Sequence, residues 1–105
     1  MDFQENLAAL AEAGHLSRIE VTGPDGGVAV IENRPGSQGS LRVYQHLALK
    51  FGRIDASAAA EGLELFAEHT EDALRHPGKH PNIDRLLDVQ ARGVSLSVRL
   101  VEATA

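Results

Sequence analysis

A cluster of histidine and carboxylate side chains over residues 68–80 is the part of this sequence best suited to chemistry. Three of the five histidines fall there: His69, His76 and His80. On a helix, which rises ~1.5 Å per residue, His69 and His76 lie about 10 Å apart along the axis and cannot share one ion. Asp72 and His76 are four residues apart and face the same side. The candidate catalytic and metal-binding set is therefore Asp72, His76 and His80.

Two kinds of chemistry fit this set. Imidazole nitrogen and carboxylate oxygen bind zinc and other divalent metals, and His80 can reach the site across a turn at Pro77 and Gly78. Without a metal, the same imidazoles suit general acid and base catalysis. In the structural alternative, His76 stabilises a helix end and the carboxylates form a solvated face. Because the helix dipole opposes the neutral imidazole that a metal requires, we predict no cofactor and keep a divalent metal as the alternative.

A second candidate is the glycine- and serine-rich segment GSQGSLR, residues 36–42. Free backbone amides at a helix start can hold an anion, here with help from Arg34 or Arg42. The segment lacks the lysine and spacing of a nucleotide-binding loop and the GxSxG elbow of hydrolases. In the alternative, Ser40 is an ordinary helix cap and the arginines pair with nearby acids. The candidate anion-binding residues are Gly36, Ser37, Gly39, Ser40 and Arg42.

Hydrophobic spacing in the first half of the chain predicts the elements before that loop. Asp2 and Glu5 form a capping box that begins a helix, and Gly14 ends it. An alternating run over 18–22 and an apolar run over 28–31 are joined by a glycine- and proline-rich turn, which predicts a β-hairpin. Because the second strand is apolar on both faces, we expect it to be central or covered by a partner.

The second half of the chain predicts three further helices and a final strand. Glycine, proline and aspartate residues set the limits of helices over 41–52, 55–76 and 81–93. Alternating apolar positions predict the strand over 94–100. The element order is αββαααβ. This order predicts an α+β fold with a small antiparallel or mixed three-stranded sheet and helices packed on one face. With 105 residues, the chain is expected to form a single domain.

Composition narrows the possible functions. The chain has no cysteine, which excludes disulfides, thiolate metal sites and a cysteine nucleophile. A net charge of −5 with only 4% aromatic residues argues against nucleic acid as a partner. The acidic start and the lack of a long apolar run predict a cytoplasmic protein without a membrane segment.

Two stretches of the sequence are distinctive: IENRPGSQGSLRVY, residues 31–44, and AEHTEDALRHPGKHPNIDRL, residues 67–86. Together with the length of the chain, they resemble a family of short bacterial proteins carried as a domain of unknown function. The resemblance covers essentially the whole chain. It implies a bacterial, single-domain protein and no catalytic or binding residue.

We interpret the sequence as that of a non-catalytic binding or protein-interaction module, because no catalytic triad, phosphate loop or metal motif is present. Its partner would be a small anionic ligand or another protein. Two alternatives remain open. One is a small enzyme that uses Asp72, His76 and His80, with or without a divalent metal. The other is a structural homo-oligomer.

Overall fold

The computed structural model describes residues 1–103. These residues form five helices and three strands, in the segments where apolar residues recur periodically in the sequence. The α+β class is confirmed, and the elements follow the order αββαααβ except that the helix predicted over 55–76 is divided in two. Among the described helices, none is both long and apolar enough to cross a bilayer. In chain order the elements are α1 (Phe3–Ala8), β1 (Leu16–Thr22), β2 (Val28–Glu32), α2 (Gln38–Phe51), α3 (Ala56–Phe66), α4 (Glu68–Arg75), α5 (Pro81–Arg92) and β3 (Ser97–Glu102).

The three strands form an antiparallel sheet in the order β2-β1-β3. In the central strand, Ile19 lies opposite Ile31 on one side and Leu100 on the other. Ile19 and Ile31 are buried in the core together with residues of the helices. Since side chains alternate between the two faces of a strand, the helices cover one face of the sheet, as predicted.

Strand β2 lies at an edge of this sheet. Its prediction as a central strand is wrong, because β3 returns along β1 and not along β2. On the outer face, Val28 is 60% exposed and Val30 is 49% exposed, with Glu20 opposite Val30. The alternative, that a partner covers this strand, stays a prediction.

Close helix packing forms the other half of the core. A Cβ atom at Gly62 of α3 would lie 2.7 Å from a methyl group of Leu86 and 2.9 Å from one of Leu47. Only glycine therefore lets α3 approach both α2 and α5 this closely. Apolar side chains of every helix contribute to the same cluster, which includes Phe3, Leu41, Tyr44, Leu47, Phe66, Ala73, Ile83, Leu86 and Val89.

The break between α3 and α4 occurs at Ala67, whose backbone has a φ of 50° and a ψ of −117°. At this break, side chains donate hydrogen bonds to carbonyls that would otherwise accept from backbone amides of a continuous helix. Thr70 Oγ1 donates to the Leu63 carbonyl at 2.7 Å, and Asn6 Nδ2 donates to the Leu65 carbonyl at 3.0 Å. Satisfied carbonyls remove much of the cost of ending a helix without glycine or proline. The predicted long helix therefore becomes two helices, and α4 carries His69 and Asp72 separately from α3.

Candidate functional site

A cavity of about 470 Å³ lies where α1 meets the first turns of α2 and α5, beside the junction of α3 and α4. We call it the α2–α5 cavity. Its floor consists of four apolar side chains that are at most 8% exposed: Phe3, Leu7, Phe66 and Ile83. The rings of Phe3 and Phe66 stack at 5.4 Å, and the His69 ring meets Phe3 edge-on at 4.8 Å. The floor is thus a packed aromatic and aliphatic surface.

Polar groups form the upper part of this cavity. Half-buried residues make the wall, and exposed residues make the rim. The wall contains Gly39, Ser40, His69, His80 and Asn82, and the rim contains Gln4, Gly36, Gln38, Lys79 and Pro81.

The cavity brings the two predicted sites together. Gly36, Gly39 and Ser40 of the anion-binding candidate line it, and so does His80 of the histidine and carboxylate set. Helix α2 begins at Gln38, so Ser40 lies in its first turn and is not the helix cap. Leu41 donates the first hydrogen bond of that helix, and the amides of residues 38–40 have no partner within the helix.

Two other anion-binding candidates face elsewhere. The Ser37 hydroxyl donates to the carbonyls of Glu32 and Arg34. The guanidinium of Arg42 donates to the carbonyls of Leu7 at 2.7 Å and Leu10 at 2.8 Å. These bonds hold the end of α1 against α2. Helix α1 ends at Ala8, so the prediction that it extends to Gly14 is wrong.

Asp72 is the centre of a charged cluster beside the cavity. Its Oδ2 atom accepts hydrogen bonds from His80 Nε2 at 2.6 Å and from Lys79 Nζ at 2.9 Å. His76 Nε2 lies 3.8 Å from the other carboxylate oxygen. The bonds from Lys79 and then His80 lower the pKa of Asp72 from 3.8 to about 2. We call these four residues the Asp72 cluster, which is built on an ionised carboxylate at neutral pH.

The structure therefore places Asp72, His76 and His80 next to one another. Only His80 lines the cavity, whereas the side chain of His76 is 61% exposed on the outer side of the cluster. The turn that returns His80 to Asp72 contains Gly78 with a φ of 92°. The Gly78 amide donates to Asp84 Oδ2 at 2.9 Å, which fastens this turn to α5.

A second network fixes the first turn of α5 at the cavity wall. The buried Tyr44 hydroxyl donates to the Asn82 carbonyl at 2.6 Å and accepts from Arg85 Nη1 at 3.0 Å. Arg85 also donates to the Asn82 side chain at 3.0 Å. Burial, only partly offset by Arg85, raises the pKa of Tyr44 to about 12, so the phenol keeps its proton. Asn82 is thus held through both its backbone carbonyl and its side chain.

A scan against family models matches residues 3–100 to a family described as "uncharacterized protein conserved in bacteria" (DUF2322). The chain belongs to this family. The match confirms the family resemblance of residues 31–44 and 67–86 and spans nearly the whole chain. A search of curated proteins and a search of solved structures each gave no match.

Across residues 1–103, no three histidine, aspartate or glutamate side chains are arranged to hold a metal ion. Lys79 Nζ lies 2.9 Å from Asp72, so an ammonium group already neutralises the carboxylate of the predicted metal set. Divalent metal binding by Asp72, His76 and His80 stays the alternative to the prediction of no cofactor.

Sequence reasoning missed most of the residues that line the cavity, among them Phe3, Gln4 and Lys79. Phe3 and Gln4 come from α1, and nothing in the sequence indicates that α1 folds back against residues 66–69. Lys79 carried a usable signal, because it directly precedes the candidate His80 and is one of only two lysines in the chain. Its position in the turn before α5 places an ammonium group at the rim.

Proposed function

We propose that this protein is a binding module that holds a small anion in the α2–α5 cavity. The charge of the cavity lining carries the proposal. The chain has 15 acidic and 10 basic residues, yet the lining found within residues 1–103 includes Lys79, His69 and His80 and no aspartate or glutamate. A lining that offers an ammonium group and polar donors but no carboxylate of its own, with the Asp72 partner of Lys79 outside it, favours anions locally, whatever the net charge of the protein.

Backbone amides strengthen this preference. Helix α2 is 14 residues long and begins at the rim, without a side-chain cap. Gly39 and Ser40 of its first turn line the cavity, and free amides at a helix start are donors that a carboxylate or phosphate oxygen can accept. Gly39 lets the Phe3 ring pack directly against this first turn, because a Cβ atom there would lie 2.9 Å from that ring.

Titration with inorganic phosphate, followed by amide NMR shifts, tests the proposal. We expect the amides of Gly36, Gly39 and Ser40 to shift together, and Lys79→Gln to weaken binding roughly threefold to tenfold. Lys50→Gln is the matched control, because Lys50 is also paired with a carboxylate, Glu61, at 2.6 Å and does not line the cavity. Equal weakening by both variants would contradict the proposal, since it would reflect net charge alone.

A second candidate function, a small enzyme, is favoured by the Asp72–His80 pair. Asp72 orients the imidazole through Nε2 and leaves Nδ1 as the nitrogen for a substrate proton. Hydrolysis of p-nitrophenyl acetate and p-nitrophenyl phosphate, with and without added zinc, tests this function. His80→Gln should lower the rate, whereas His46→Gln, which removes an imidazole paired with Glu61, should not. Equal rates in all three proteins would argue against catalysis at His80.

The metal version of that enzyme has a separate test. If Asp72, His76 and His80 bind a divalent ion, zinc should raise the melting temperature of the wild type but not of Asp72→Asn. Because a metal must displace Lys79 from Asp72, we propose that the pair works without one. A zinc-dependent rise confined to the wild type would overturn that choice.

A further inference from the structure

The α2–α5 cavity has an apolar floor and a polar rim. Its four floor residues are at most 8% exposed and entirely apolar, whereas the Lys79 side chain at the rim is 58% exposed. The stacked rings of Phe3 and Phe66 and the edge-on contact of His69 with Phe3 make this side of the cavity aromatic. An inorganic anion needs only the rim.

A ligand that is charged at one end and apolar at the other would use both parts. Its charged end would meet Lys79, His80 and the amides of α2, and its apolar body would displace water from the floor. Rings pack on rings in offset or edge-on geometry, so a planar body suits this floor best. The cavity volume of about 470 Å³ falls in the range of small-molecule sites.

We infer that the ligand is an organic anion with a compact aromatic body, of the chemical class of an aryl carboxylate. This inference rests on the proposed anion-binding function and adds the apolar half of the ligand. The same observations argue against free inorganic phosphate as the natural occupant, because phosphate makes no use of the apolar floor beside Phe3 and Ile83.

Three probes separate the two halves of the ligand in calorimetric or NMR titrations of the intact protein. Acetate supplies the charge alone, benzyl alcohol the ring alone, and benzoate both. We expect benzoate to bind roughly tenfold more tightly than either of the other two, because burial of a ring contributes strongly to affinity. Equal affinities of benzoate and acetate would overturn the aromatic ligand but leave the anion site intact. Absence of binding by both anions would overturn both proposals.

Two variants assign the halves to residues. Lys79→Gln should weaken acetate and benzoate by the same factor, whereas Phe3→Leu should weaken benzoate at least about threefold and leave acetate unchanged. Thermal melting checks that Phe3→Leu is folded, and the wild-type probe series decides the question if it is not. A parallel loss of both anions in folded Phe3→Leu would contradict a floor role for the ring.

Discussion

Two carboxylates of this protein are held in nearly the same way, but only one lies beside a cavity. Glu61 accepts hydrogen bonds from Lys50 and His46, and these two bonds lower its pKa. We call these three residues the Glu61 cluster. It joins α2 to α3, and none of its members lines the α2–α5 cavity. Asp72 is likewise held between a lysine and a histidine.

The difference lies in what surrounds each cluster. Lys50 and His46 stand one turn apart on α2, so the Glu61 cluster fastens two helices that are already packed together. Lys79 and His80 come from the turn before α5, and both also line the cavity. A carboxylate with a lowered pKa between a lysine and a histidine is therefore not a sign of function by itself. The cavity is the distinguishing observation.

Charge reversal of the two lysines should give the largest contrast between the clusters. Lys79→Glu places a negative charge at the rim, so we expect benzoate affinity to fall at least about thirtyfold, or about 2 kcal/mol. Lys50→Glu makes the same change away from the cavity and should alter affinity less than about twofold. Calorimetric titration measures both. Similar losses in the two variants would erase the proposed distinction.

Tyr44→Phe tests whether the wall beside the Asp72 cluster depends on its supporting network. Loss of the hydroxyl leaves the Asn82 carbonyl and one Arg85 donor without their partner, so the free energy of unfolding should fall by about 1–2 kcal/mol. Because Asn82 belongs to the wall, benzoate affinity should fall as well. Urea denaturation and titration measure the two effects, and loss of stability with full affinity would show that the network does not position the site.

Neutralising the carboxylates should separate stability from binding. Glu61→Gln removes the partly exposed ion pair with Lys50 and weakens the contact with His46, and it should lower the free energy of unfolding by about 0.5–1 kcal/mol without changing benzoate affinity. Asp72→Asn should also destabilise the protein, but it removes a negative charge next to Lys79 and should strengthen anion binding about twofold. Weaker binding by Asp72→Asn would show that orientation of His80 outweighs the charge.

Acid should remove the contribution of Asp72 to stability. Its pKa in the folded protein is about 2, below the ordinary 3.8, so the unfolded chain binds the proton more tightly. The stabilisation is complete above about pH 4 and is lost as the pH falls towards about 2. The stability difference between the wild type and Asp72→Asn should shrink over that interval, as measured by urea denaturation at several pH values. A constant difference would contradict an ionised, paired Asp72.

Local sequence signals predicted most of the fold because they act over a few residues. The capping box of Asp2 and Glu5 is present, and Gly52 and Gly93 end α2 and α5 in left-handed conformations. The break at Ala67 was not predictable in this way, because it depends on Asn6 reaching a carbonyl 59 residues away. The edge position of β2 likewise depends on a distant contact, because the last strand, β3, pairs with β1 and not with β2.

The same distinction between local and distant contacts applies to the candidate site. The approach of His80 to Asp72 followed from the turn at Pro77 and Gly78, which is a local signal. The cavity did not, because its floor joins Phe3 to Phe66, and sequence spacing carries no information about contacts between such distant segments. Arg42 was misjudged for the same reason, since its partners are the carbonyls of Leu7 in α1 and of Leu10 just beyond it.

The hydrogen bond from the Phe3 amide to Glu68, which joins residues 65 positions apart, has a consequence for the order of folding. Contacts of such separation close large loops and form late, after the hairpin and the local helical turns. The cavity floor is therefore complete only when α1 has docked. A ligand that needs Phe3 would therefore bind only chains in which α1 has docked, so in stopped-flow refolding its binding would report that docking.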